Sequence, residues 1–436
     1  MSRICMIGTG YVGLVSGACL ADFGHEVWCV DINEQRIAEL HDNIMPIYEP
    51  GLDNLVAKNV RSGNLHFTSS LDEAMKLTDV IFIAVQTPMA DTGEANLEYV
   101  LNVAREIGEQ MDRSYVIVTK STVPVGTSRK VKDAIVAAQP SPIPFDMASN
   151  PEFLREGSSI EDFMRPDRVV IGTESDRARE IMSDIYRPLY LLETPIVHTD
   201  IETSELIKYA SNAFLAVKIS YINELSNLAD RVGADISRVA KAMGLDKRIG
   251  PKFLHAGLGY GGSCLPKDTN AIVHIAETAG TDMSIVRAAI GVNGSLPGLA
   301  MVKARRLCPD LEGKTVALLG LSFKPNTDDI RDAPSRHLVR LFQEAGATLR
   351  VHDPVAADNF KLIHPTLKYC DGPYHAAEGA DLICLVTEWN EYRQLDLERL
   401  AGLVADKAFL DCRNVYNASM LNKAGFRYES FGRPQG

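Results

Sequence analysis

Along the first two hundred residues, short apolar runs alternate with stretches in which apolar residues recur every three or four positions. Arg3–Gly8, Glu26–Asp31, Asp79–Val85, Tyr115–Lys120, Asp146–Ser149 and Arg168–Gly172 read as strands, and Tyr11–Phe23, Leu97–Gln110 and Ser128–Ala138 as helices. Such a βαβ rhythm predicts a mostly parallel sheet covered by helices on both faces. From Thr203 to about Val232 the pattern changes. Leu206, Tyr209, Ala210, Ala213, Phe214, Val217, Leu225 and Leu228 recur at helical spacing without Gly or Pro, which predicts one unusually long helix. Helical tracts follow over Thr269–Ala279 and over Met283–Gly298 into Ala300–Leu307. After Gly313 the βαβ rhythm returns with Thr315–Gly320, a helix through Ser335–Ala345, Thr348–Asp353, Ala380–Val386 and Ala408–Asp411.

The chain has 436 residues, which suits two or three domains at roughly 150 residues each. With 46% hydrophobic and 23% charged residues it is not a disordered or low-complexity chain. A net charge of −12 argues against a general nucleic-acid or anionic-membrane binder. None of the 8 cysteines forms a Cys-x-x-Cys pair, so neither a disulfide framework nor zinc spacing is present, and no metal is expected. No apolar run reaches the roughly 18 residues of a membrane span. Gly8, Gly10 and Gly13 interrupt the N-terminal apolar stretch that superficially resembles a signal peptide. A cytoplasmic protein is the expectation.

Those three glycines carry the strongest local signal. Gly8-Thr-Gly10-Tyr11-Val12-Gly13 follows a strand and opens a helix, the arrangement that lets a backbone turn tightly, approach a pyrophosphate and pack a helix closely on its strand. Asp31 closes the second strand, where a carboxylate can accept from ribose hydroxyls and repel a 2′-phosphate, so NAD is expected rather than NADP. Arg36 reads either as a neighbour of the adenosine ribose or as a solvated helix-face arginine. The second half echoes the first, Asp381-Leu-Ile-Cys-Leu-Val answering to Asp79-Val-Ile-Phe-Ile-Ala-Val and Val351-His-Asp353 to Val30-Asp31, but lacks the glycine fingerprint. The expected class is therefore α/β, with two Rossmann-like doubly wound lobes joined by a long central helix. Its divisions fall at 1–200, 201–298 and 299–436.

Four further stretches are too polar and glycine-rich for simple core: Ser121–Thr127, Asn150–Gly157, Gly259–Asp268 and Ser322–Arg331. In the third, Cys264 follows glycines and a serine and precedes Lys267, a cation that would favour thiolate. Beside an NAD site a thiolate has specific work. It adds to an aldehyde as a thiohemiacetal, which a second oxidation turns into a thioester for hydrolysis. Lys208 and Asn212 stand at i and i+4 on the long helix and can face one substrate oxygen. They read equally well as a surface lysine and a packing amide.

Together these motifs resemble the nucleotide-sugar 6-dehydrogenases. The resemblance runs from Gly8 to about Arg413, with Asn150–Gly157, Gly261–Asp268 and Phe323–Arg331 as its most specific parts. It implies an NAD-binding lobe (1–200), a central helical dimerisation segment (201–298) and a C-terminal UDP-binding lobe (299–436). It also implies oxidation of UDP-glucose to UDP-glucuronate with two NAD per sugar, in a homodimer whose further assembly is open. Carried over by position, Cys264 is the nucleophile. Lys208 and Asp268 manage the alkoxide and the water, Asn212 and Thr122 assist, and Glu152 is the acid/base. Thr87, Thr122, Glu156, Lys267 and Arg331 line the NAD with the glycine loop. Phe153, Leu154, Lys252, Phe253, Leu254, Tyr260, Gly261, Phe323, Lys324 and Arg413 hold the sugar nucleotide, along with Glu152, Lys208 and Asn212. Arg248 reaches a neighbouring subunit. Leu265 stands where the family often has Phe and is also found in relatives using GDP-mannose, whereas the Arg248–Tyr260 loop points to UDP-glucose. An N-acetylhexosamine nucleotide dehydrogenase, a two-electron hydroxyacid dehydrogenase and a non-enzymatic NAD sensor are the other readings.

Overall fold

The computed structural model describes residues 1–90 and 93–434. The chain forms two compact units, one of Met1–Ser211 with Asn270–Gly280, the other of Asn212–Thr269 with Thr281–Gly436. Gln435 and Gly436, the last residues of the expected third division, lie outside the described residues.

The first unit holds β1 (Arg3–Ile7), β2 (Glu26–Val30), β3 (Leu65–Thr68), β4 (Val80–Ile83), β5 (Val116–Thr119), β6 (Asp146–Ser149), β7 (Val169–Gly172) and β8 (Ile196–Thr199). They form one sheet in the order β3-β2-β1-β4-β5-β6-β7-β8. All pairs are parallel except β6 with β7. The alternation of strand side chains explains why both faces need helices. Ile4, Met6, Val80 and Phe82 enter one buried cluster, while Cys5, Ile7, Ile81 and Ile83 enter another on the opposite face. The chain reverses between β1 and β4, and ligands of open α/β sheets bind at such a switch point. The edge strands β3 and β8 escaped the sequence reading. They are four residues each, and both carry polar residues within that short span.

The second unit repeats the plan with β9 (Thr315–Leu319), β10 (Thr348–His352), β11 (Lys368–Tyr369), β12 (Leu382–Leu385), β13 (Ala408–Asp411) and β14 (Arg427–Ser430). Their order is β11-β10-β9-β12-β13-β14, parallel throughout. Val316 and Leu318 face one core and Ala317 and Leu319 the other. The Gly-x-Gly-x-x-Gly fingerprint is absent after β9, as expected, but its first position is kept. Gly320 occupies the place of Gly8, with φ +98° against +103°, and each donates its N–H to the last carbonyl of the adjacent second strand at 2.8 Å. A Cβ at Gly320 would lie 2.4 Å from Thr387 Cβ, and one at Gly8 would lie 2.7 Å from the Ala84 carbonyl oxygen.

The expected long helix is Ile201–Val232, 32 residues, and the division between units falls inside it at Ser211 and Asn212. A second helix begins at Leu265, not at Thr269, so Lys267 and Asp268 lie in its first turn. Pro266 is tolerated there because an initial N–H has no intrahelical acceptor. The two tracts expected around Gly298 are one helix, Ser284–Leu307, with Pro297 inside it. By length and mean hydropathy alone this helix could cross a membrane, although no unbroken apolar run in it reaches about 18 residues. It packs instead on the helix Pro334–Glu344 and on β13 and β14. Its Lys303 is buried against Asp230 at 2.6 Å and Glu429 at 3.6 Å, an arrangement of a protein core.

Candidate active site

In the first unit, the helix Tyr11–Asp22 begins directly after the glycine turn and contains no charged residue before its last position. Gly13 is required by packing, since a Cβ there would fall 1.9 Å from the Gly8 carbonyl oxygen. A Cβ on Gly10 would meet nothing within 4 Å, so its smallness leaves space over the helix N-terminus. Asp31 Oδ2 accepts from Thr9 N at 3.0 Å, Thr9 Oγ1 at 2.7 Å and Arg36 Nη1 at 3.0 Å, and Oδ1 accepts from Asn33 N. Partial burial pushes the Asp31 carboxyl up, but these hydrogen bonds and Arg36 outweigh it and hold it below the usual range. An ionised carboxylate beside a glycine turn with open space over a helix N-terminus fits a dinucleotide.

The segment after β6 is tied to this turn. Tyr11 OH donates to Glu49 Oε2, while Gly157 N donates to Tyr11 OH at 2.8 Å and to Glu49 Oε2 at 2.6 Å. Ser159 N donates to Glu49 Oε1 at 2.8 Å. Thr87, after β4, donates through Oγ1 to the Thr122 carbonyl at 2.9 Å. Glu205, on the long helix, accepts from Gly126 N at 2.6 Å and from Ser128 N and Oγ at 2.8 and 2.7 Å. It thereby caps the helix Thr127–Ala138 that follows the Ser121–Thr127 stretch.

One turn further along the long helix, Lys208 Nζ donates to Glu152 Oε1 at 2.8 Å, with both side chains only 4% exposed. Leu154 N donates to Glu152 Oε2 at 2.5 Å. Burial pushes the Glu152 carboxyl up, but Lys208, the Leu154 N–H and Lys120 hold it below the usual carboxylate range. Phe153 lies between cations, the Arg168 guanidinium 3.5 Å and the Lys208 ammonium 5.4 Å from its ring centroid.

In the second unit, Cys264 immediately precedes the helix Leu265–Thr278, and its carbonyl accepts from Asp268 N at 2.9 Å. A thiolate there feels the positive end of the helix dipole. Cys264 is partly exposed, whereas the other seven cysteines are buried. Asp268 is buried and held on both oxygens, by Asn212 Nδ2 at 2.6 Å and by Lys267 Nζ at 2.5 Å. Upstream, the loop through Tyr260 is fixed by three asparagines. Asn293 accepts from Tyr260 N at 2.9 Å and donates to its carbonyl at 3.0 Å, Asn223 accepts from Gly257 N, and Asn414 donates to the Ala256 carbonyl.

Residues 2–190 match the NAD binding domain of the UDP-glucose/GDP-mannose dehydrogenase family, 202–295 its central domain and 317–418 its UDP binding domain. The chain belongs to this family. A UDP-glucose 6-dehydrogenase of Rhizobium meliloti strain 1021 is 50% identical over 99% of this chain and 100% of its own length. One from Bacillus subtilis strain 168 is 44% identical over 100% of this chain and 94% of its own. Among solved structures, a UDP-glucose dehydrogenase from Pyrobaculum islandicum is 40% identical with a TM-score of 0.91, covering 98% of this chain and 97% of its own. The chain is thus an NAD-dependent dehydrogenase of the nucleotide-sugar family, with an NAD binding and a UDP binding domain.

The structure brings together the expected residues Glu152 and Lys208 in its first unit, and Cys264, Lys267, Asp268 and Asn212 in its second. Others stand differently from a simple ligand contact. The Arg413 guanidinium donates to the carbonyls of Val386, Gly259 and Phe323 and pairs with Glu388, so it fastens three loops together. Arg331 pairs with Asp329. Lys324 lies over the Phe323 ring at 5.3 Å, Phe253 takes a left-handed φ of 64°, and Lys252 is exposed. Leu254, Tyr260 and Gly261 are buried, and Glu156 is buried beside Gly157. Arg248 projects from the surface, paired only with Asp246 among the described residues. Sequence reasoning missed Glu49, Lys120, Tyr186, Glu205 and Asn293. The adjacency of Lys120 to the Ser121–Thr127 stretch was the one available signal.

Proposed function

We propose that this enzyme oxidises the C6 alcohol of UDP-glucose to the carboxylate of UDP-glucuronate. The observation that carries the reading is a partly exposed Cys264 at a helix N-terminus, on the same first turn as an Asp268 clamped by Asn212 and Lys267. The Gly8–Gly13 turn and Asp31, with Thr87, Thr122, Glu156, Lys267 and Arg331, would hold NAD, which would supply the hydride acceptor for both oxidations. Lys208 and Asn212 hold the C6 oxygen while its proton passes to water. The Cys264 thiolate adds to the aldehyde carbon to give a thiohemiacetal, and loss of the second hydride leaves a thioester. Glu152, ionised because Lys208 and its other partners outweigh burial, takes a proton from the attacking water. The C–S bond then breaks and returns the thiolate, with Asp268 and Thr122 ordering the water. Phe153, Leu154, the Lys252–Gly261 loop, Phe323, Lys324 and Arg413 form the sugar-nucleotide side.

The working unit we propose is a homodimer through the long helix, within a functional division of 1–200, 201–298 and 299–436. On that helix Phe214, Tyr221 and Leu228, spaced by seven, are each at least half exposed, an apolar stripe suited to a second copy. Arg248, 89% exposed in its side chain, suits a reach into the neighbour's site. A reducing cytoplasm would keep Cys264 as a thiol. Leu265 keeps GDP-mannose and N-acetylhexosamine nucleotides as the second reading.

A limiting, known amount of UDP-glucose with excess NAD tests this. Two NADH per sugar are expected, with UDP-glucuronate as product, and Cys264→Ala is expected to lose overall turnover while still binding NAD. One NADH per sugar, or normal carboxylate formation by Cys264→Ala, would sink the thioester route.

A further inference from the structure

Lys120 follows β5 in the first unit and is 3% exposed. Its ammonium donates to Asn150 Oδ1 at 3.1 Å and to Tyr186 OH at 3.4 Å, and stands 5.8 Å from the Phe163 ring centroid. Both hydrogen-bond partners are neutral. Among the described residues no carboxylate pairs with it, and the nearby Glu152 pairs with Lys208. The network fixes this orientation. Asn150 Nδ2 is committed to the Val170 carbonyl at 2.8 Å, so Oδ1 must face Lys120 and the Tyr186 hydroxyl, which donates to it at 2.6 Å.

A buried ammonium without a counter-ion is costly, and an apolar side chain of similar length would fill the same space at less cost. What Lys120 offers in exchange is a field. Asn150 and Glu152 are two residues apart across Pro151, which favours extended backbone before it and places alternate side chains on one side. The charge held by Asn150 is therefore close to the Glu152 carboxylate. We propose that Lys120 is a positioning residue whose buried charge, added to that of Lys208, keeps Glu152 ionised and able to accept a proton. The electrostatic balance agrees. Lys208 and Lys120 both favour the Glu152 carboxylate, while burial and the like charge of Lys208 pull Lys120 down to about 8, with Glu152 opposing. Lys120 thus keeps its charge on the acid side, where Glu152 needs it. The inference rests on Glu152 acting as the base.

The test follows the Glu152 carboxyl directly. Infrared difference spectra between acid and neutral solution contain a protonated-carboxyl band that Glu152→Gln removes, and the titration midpoint of that band is the readout. Lys120→Met removes the charge, Lys120→Gln removes it while keeping hydrogen bonds to Asn150 and Tyr186, and Lys120→Arg keeps it. In both neutral variants the midpoint is expected to rise by about one pH unit, with that of Lys120→Arg unmoved. NADH formation in the neutral variants should fall about threefold to tenfold near the parent's own midpoint and much less at about pH 8. An unmoved midpoint, a loss of activity equal at every pH, or failure of both neutral variants to fold would overturn the proposal, since each marks a structural lysine. If Glu152→Gln forms carboxylate normally while the Lys120→Met midpoint still rises, the charge effect stands and the base assignment falls.

Discussion

In both sheets the second strand leads into a carboxylate that reaches back to the loop after the first strand, Asp31 in one unit and Asp353 in the other. Asp31 accepts four hydrogen bonds, three of them from Thr9 and Asn33, and keeps part of its edge in solvent. Asp353 is buried, and Oδ2 accepts from Leu321 N, Ser322 N, Ser322 Oγ and Trp389 Nε1 while Oδ1 accepts from Val355 N and Ala356 N. A carboxylate has about four lone-pair sites, so Asp353 has no capacity left for a ribose. After Gly8 a helix starts at once, at Tyr11, whereas after Gly320 the next helix waits until Pro334. The same topology thus supports a dinucleotide turn in one unit and, in the other, a self-satisfied turn that releases a long loop carrying Phe323, Lys324 and Arg331. One aspartate keeps an edge open to solvent, and its counterpart is spent on the fold.

Breaking that division has unequal consequences. Asp353→Ala should be the most damaging, because six donors lose their acceptor. Thermal or denaturant unfolding should register a loss of about 3–5 kcal/mol. A loss below about 1 kcal/mol would show that Asp353 is not a structural cap. Gly10→Ala comes next, and its effect should fall on the ligand, since the added methyl meets nothing within 4 Å in the protein. Stability should stay within about 0.5 kcal/mol. NAD affinity, by calorimetry or fluorescence quenching, should drop by about 1–3 kcal/mol from crowding of the pyrophosphate. Asp31→Ala should cost NAD about tenfold in affinity, the worth of hydrogen bonds to ribose, and leave UDP-glucose binding unchanged. Equal losses for both ligands would contradict the assignment of Asp31 to NAD alone.

Much of this was legible in the sequence where the physics is local. The Gly8–Gly13 turn with its strand and helix, and the uninterrupted periodicity of Ile201–Val232, need only near neighbours to be read. The same holds for the i,i+4 spacing of Lys208 and Asn212. The β3 and β8 strands were not legible, because four residues with polar positions carry too little pattern. The helix start at Leu265 was hidden by Pro266, which reads as a break unless it occupies the first turn. Asp353 looked like a second Asp31 by position, and nothing near it in sequence announces Trp389 as a donor.

The chain by itself determined two βαβ lobes, a glycine turn that opens a helix, an acidic residue closing the second strand, a long helix and a cysteine in a glycine-rich stretch. These follow from periodicity and from steric limits that act within a few residues. Only the tertiary structure decided which charges are buried and what they face: Lys208 on Glu152, Asp268 between Asn212 and Lys267, Asp353 consumed by its own loop, and Lys120 on neutral partners. The reason is physical. Desolvation and hydrogen-bond pairing depend on atoms that meet across tens or hundreds of residues, and no local pattern specifies which of them meet.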